Sequence, residues 1–117
     1  MGEIKDLLTK LEQFRDERDW GQFHDPKNLA LALSIEVAEL NELFLWKKES
    51  DLSSVDQDKL KDEIADVFAY AIMLAGQYDF DVADIVRAKI LKNAQKYPVE
   101  IAKGNAAKYN ELGNIEE

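Results

Sequence analysis

The 117-residue sequence contains no cysteine, two prolines and a single histidine, His24. The missing thiols exclude disulfides, thiolate metal sites and a cysteine nucleophile. No E-x-x-H pair is present, which removes the carboxylate-bridged di-iron type of bundle. No run approaches the roughly eighteen apolar residues that a membrane span needs, and the first thirty residues carry no apolar block behind a basic start. The expectation is a cytoplasmic protein with no membrane partner. Bases are also scarce: 15 lysines and arginines against 24 acids give a formal charge of −9. That deficit argues against salt-sensitive binding to a nucleic-acid polymer. It leaves a nucleotide substrate open, because a bound metal converts local acidity into phosphate affinity.

The length suits one domain, 1–117. Apolar residues at spacings of three and four predict a first helix over 3–19, through Ile4, Leu7, Leu8, Leu11 and Phe14. Gly21 and Pro26 punctuate an aromatic loop, and Asp25 before Pro26 reads as an N-cap with proline at the first helical position. A second helix over about 26–48 is apolar on almost all sides and needs cover from more than one direction, which points to a homo-oligomer, a dimer or a higher even assembly. Ser54 and Gln57 resemble a capping box that opens a third helix over about 56–78. A fourth, basic helix follows over about 82–97 with Asp81 as a plausible cap, and Pro98 ends it. Residues 99–117 read as a polar tail. The expected fold is all-α, four main helices in a bundle-like protomer with antiparallel neighbours.

The informative residues are acids in the wrong place. Glu36 and Glu39 lie about 60° apart on one helical face, among Leu29, Ala32, Leu33, Leu40 and Leu43. Glu63 and Asp66 repeat the spacing among Leu60, Val67, Tyr70 and Leu74. Crowded carboxylates repel by about 4 kcal/mol per pair at about 4 Å and an effective dielectric near 20. Lys59 is the one basic residue on either stripe, so a divalent cation is the simplest neutraliser. All-oxygen ligation favours a hard ion, Mg²⁺ with Mn²⁺ as a substitute, and such an ion keeps positions open for substrate phosphates.

Glu36-Val37-Ala38-Glu39 followed by Glu63-Ile64-Ala65-Asp66 resembles the acid signature of the MazG-like all-α nucleoside triphosphate pyrophosphohydrolases. Arg18 to His24, Pro26 to Leu29, Glu42 to Lys47, Lys89 to Asn93 and Lys96-Tyr97-Pro98 are similar to the dCTP pyrophosphatase branch. The likeness covers about residues 5–112. It implies a dimer or dimer of dimers that depends on magnesium and cleaves a (deoxy)nucleoside triphosphate, dCTP or a modified relative, to the monophosphate and pyrophosphate. Carried over by position, it makes Glu36, Glu39, Glu63 and Asp66 the metal ligands and catalytic acids. It assigns Trp20, His24, Trp46 and Tyr70 to base and sugar contacts, and Lys89, Asn93, Lys108 and Tyr109 to phosphate. Leu11 stands where dCTP-preferring members carry a histidine, which loosens the expected base preference.

Each of these residues also has an ordinary role open to it. A tryptophan at a helix end can serve the core as well as a base, and Tyr70 can be a satisfied core tyrosine. His24 fits a capping position as well as a base edge, and Lys89 with Asn93 fits a solvated helix edge. Glu42 turns away from the other acids. Two other classes stay open: a non-catalytic bundle that binds nucleotide or metal, and a structural interaction bundle. The aromatic loop disfavours a phosphoribosyl-ATP pyrophosphohydrolase.

Overall fold

A computed structural model of the chain describes residues 2–107. Every regular element among them is helical: α1 Glu3–Glu17, α2 Pro26–Glu42, α3 Gln57–Gln77, α4 Val82–Lys96 and α5 Val99–Ala102, with short 3-10 turns at Gly21–Phe23 and Glu49–Ser54. The residues fall into two compact units, Met1–Asp81 and Val82–Glu117.

In the first unit α3 is the central element, packed against both α2 and α1. Its buried residues Ile72, Met73 and Ala75 form most of a small core, completed by Leu29 at 1 % exposure and Val55. α1 comes close to α3 where Gly76 faces Leu8. A Cβ added at Gly76 would stand 2.8 Å from one Leu8 methyl, so this crossing is built on the absence of a side chain. The loop just ahead of α2 meets the middle of α3, where His24 contacts Tyr70. Further along α2, Glu36 and Glu39 meet Glu63 near the start of α3. The pair is therefore antiparallel, as the short connection requires.

The cap of α2 forms as its sequence predicts: the Asn28 N–H donates to Asp25 Oδ1 at 2.8 Å, with Pro26 opening the helix. The far end differs from expectation. α2 stops at Glu42, before the expected boundary near 48, and the chain turns through Leu43 to Trp46. Trp46 sits at φ +65, a left-handed conformation that costs a non-glycine residue about 1–2 kcal/mol. The Ser54–Gln57 box is replaced: Asp56 caps α3, accepting from the N–H groups of Asp58 and Lys59, while Ser54 Oγ donates to Asp51 O. Asp56 accepts from two adjacent orphan N–H groups at once.

In the second unit, α4 ends ahead of Pro98, as expected. The chain then forms the short α5 in a stretch that the sequence reads as tail; Pro98 itself is its N-cap. Lys108 and Tyr109 lie outside the described residues.

Candidate active site

Three acids of the two i, i+3 pairs on these antiparallel helices bring their side chains to one place. One carboxylate oxygen each from Glu36, Glu39 and Glu63 lies within 4.8 Å of the others. Asp66 does not join this three-way group and is exposed, although its charge is felt by both Glu36 and Glu63. The setting is wetter than the apolar stripes predict. Glu36 and Glu63 are only half-buried, and Leu31 and Ile35 on α2 and Phe68 on α3 are exposed.

Loss of hydration and crowding act in the same direction here. Burial, a hydrogen bond to Glu39 and the charges of Glu39, Asp66 and Glu63 push Glu36 up to about 7. Burial and the neighbouring acids also raise Glu63. One oxygen of Glu36 and one of Glu63 are shut off from solvent with no hydrogen-bond partner. The arginines that flank the two helices in sequence are engaged locally, Arg15 with Glu12 and Asp16, Arg18 with the carbonyl and ring of Phe14, and Arg87 with Asp84. Converging oxygens, two of them orphaned, fit a hard divalent cation, which would satisfy the orphans and reverse the upward shifts.

Beyond the acids, on α3, Tyr70 follows Asp66 by one turn. Its phenol is raised by burial and by the charges of Glu36, Asp66 and Glu39, so it stays protonated and able to donate. The His24 ring meets it edge to face at 6.3 Å, and His24 Nδ1 is buried without a partner. His24 is delivered by a loop with its own scaffold. Asn28 Nδ2 donates to Phe23 O at 3.0 Å, and Gln22 Nε2 donates to Asp19 O and Oδ2 at 3.0 and 3.1 Å. Asn28 and Gln22 brace this loop, and in the sequence they stand out only as parts of a motif. Their signal was the density of amide and charged side chains around a glycine and a proline.

Trp20, 45 % exposed, meets Phe14 edge to face. Trp46 is 91 % exposed, too open to be a core residue. Lys89 and Asn93 lie one turn apart on α4, both exposed.

The sequence profile of the MazG-like family matches residues 31–112, a span that takes in all four acids. The chain belongs to the MazG-like family. Among proteins similar to this MazG-like chain, mouse dCTP pyrophosphatase 1 is 39 % identical over 121 residues, covering 97 % of this chain and 71 % of its own. Human dCTP pyrophosphatase 1 is 38 % identical over 114 residues, covering 93 % and 67 %. A crystal structure of a pyrophosphatase from Archaeoglobus fulgidus superposes with a TM-score of 0.77 at 39 % identity, over 84 % of this chain and 94 % of that one. The MazG-like match begins after Trp20 and His24, and the alignment with the mouse enzyme extends over most of what precedes it.

Proposed function

We propose that this chain hydrolyses a deoxynucleoside triphosphate, dCTP or a modified relative, to the monophosphate and pyrophosphate, a reaction that clears unwanted nucleotides from the pool. The relatives named dCTP pyrophosphatase 1 support the substrate class. The observation that carries the chemistry is the convergence of Glu36, Glu39 and Glu63, with buried oxygens left unsatisfied on two of them.

In this reading Glu36, Glu39 and Glu63, joined by Asp66, hold Mg²⁺, for which Mn²⁺ can substitute. A divalent cation there supplies neutralisation of the phosphates and a water acidic enough to react near neutral pH. The chain's own residues do the rest. Glu36 or Glu39 accepts the proton of the attacking water. The exposed faces of Trp20 and Trp46 are free to stack on a base, a contact worth about 1–3 kcal/mol. His24, with its buried orphan nitrogen, offers a hydrogen bond to a base edge, and the Tyr70 hydroxyl one to the sugar. Lys89 and Asn93, with Lys108 and Tyr109, bind phosphate oxygens.

The protomer is read as a four-helix, bundle-like single domain, since the family match runs across the boundary between the two compact units. Exposed Leu31 and Ile35, one turn apart on α2, and Ile64 and Phe68, one turn apart on α3, support assembly as a dimer or dimer of dimers.

A panel of canonical and modified dNTPs, incubated with the protein and Mg²⁺ and scored for monophosphate and pyrophosphate, tests the proposal. Equal amounts of both products from dCTP or a cytosine-modified nucleotide are expected. Tight binding with no product over hours would leave a non-catalytic nucleotide binder instead.

A further inference from the structure

Trp20 has its main chain fixed but its ring held on one side only. Its N–H donates to Arg15 O at 3.0 Å, and the preceding Asp19 takes φ +56, which folds Trp20 back toward the end of α1. Gln22 locks that reversal by donating to both the carbonyl and the carboxylate of Asp19. The ring itself is nearly half exposed and meets the Phe14 ring edge on, with centroids 5.9 Å apart and planes at 71°. Phe14 is just as exposed, so burial alone immobilises neither ring. The guanidinium of Arg18 supplies what burial does not. Its Cζ stands 3.6 Å from the centroid of Phe14, and its Nη1 donates to Phe14 O at 3.0 Å. A planar cation stacked on an aromatic face and tied to the same residue's carbonyl restricts that ring's rotation.

We propose that Arg18 is a positioning residue for substrate binding: acting through Phe14, it holds the Trp20 ring in the attitude that receives a nucleobase. The inference rests on the proposed role of Trp20 as a base contact and adds a residue that sets that contact without touching the ligand. Arg18 is suited to this because both its guanidinium face and one of its donors are already engaged by Phe14.

The test is steady-state kinetics of the full chain with dCTP and Mg²⁺, or with whichever nucleotide of the panel is cleaved fastest. It compares R18M, R18K, W20L and the double variant R18M/W20L, each assayed well below its melting transition. Methionine keeps an unbranched stem and loses the cation and its donors. W20L is expected to raise KM. R18M is expected to raise KM by about two- to fivefold with kcat little changed, the factor that an exposed cation–π contact represents. In the W20L background R18M should change nothing further, and R18K should recover part of the loss. Unchanged KM in R18M beside raised KM in W20L would overturn the inference alone. So would an additive effect in the double variant, which would make Arg18 a direct contact. Unchanged KM in W20L would remove the role of Trp20, and the inference with it.

Discussion

His24 and Tyr70 meet edge to face, ring centroids 6.3 Å apart at 65°, and so join the loop ahead of α2 to the middle of α3. Through this contact the aromatic loop and the acid cluster share one wall. Burial and the charges of Glu36, Asp66 and Glu39 raise the Tyr70 phenol, while its ring meets that of His24.

Replacing Tyr70 with phenylalanine therefore separates the two roles of that residue. The ring contact with His24 survives and the donor is lost. KM should rise by about two- to tenfold, the equivalent of one net hydrogen bond, with little change in melting temperature. Steady-state kinetics beside a thermal melt provide the check; a fall in melting temperature with unchanged KM would make Tyr70 purely structural.

The acids make stability without added cation depend on pH in a definite direction. Glu36 is raised from an ordinary 4.5 to about 7 in the folded chain, so between those values the folded state holds more protons than the unfolded one. The contribution of Glu36 to stability should be fully present below about pH 4.5 and lost as pH rises through about 7. Mg²⁺ should remove that loss by replacing the proton. Thermal melts at pH 5 and pH 8, in chelator and in Mg²⁺, measure it; equal melting temperatures in all four conditions would mean that the acids are solvated and bind no ion.

Two stability predictions concern α2. Leu29→Ala opens a void at the most buried side chain of the core and should cost about 2–5 kcal/mol in denaturant unfolding. Asp25→Ala removes the acceptor for the Asn28 N–H and should cost about 1 kcal/mol. The ratio between them tests whether the start of α2 is held more by packing than by its cap.

Ile35→Glu and Phe68→Glu place charges on the exposed apolar residues of α2 and α3. Light scattering should show a smaller particle than the parent chain, since a carboxylate in a subunit interface must be desolvated. An unchanged mass would locate any assembly elsewhere.

Much of this was legible in the sequence for a physical reason. Apolar spacing is a local property, and it placed α1 to α4; Asp25-Pro26 carried its own capping signal. The meeting of Glu36, Glu39 and Glu63 was legible because i, i+3 pairs on adjacent antiparallel helices have few places to go, while Asp66 stays outside that group. What was missed depends on longer-range or competing effects. The turn through Leu43 to Trp46 breaks α2 inside a run that looks helical, at the cost of a left-handed tryptophan. Ser54 lost the cap of α3 to Asp56, which reaches two N–H groups at once. The half-burial of Glu36 and Glu63 depends on how the helices pack in three dimensions, which no helical wheel shows. The meeting of His24 with Tyr70 is a tertiary contact between segments far apart in sequence.

The most direct test is pyrophosphate release from dCTP in Mg²⁺ by the parent chain and by Glu63→Gln, which keeps the shape of the side chain and removes its charge. Turnover in the variant should fall by about a hundredfold or more, in a chain that still melts cooperatively near the parental temperature. Release at close to the parental rate would contradict it.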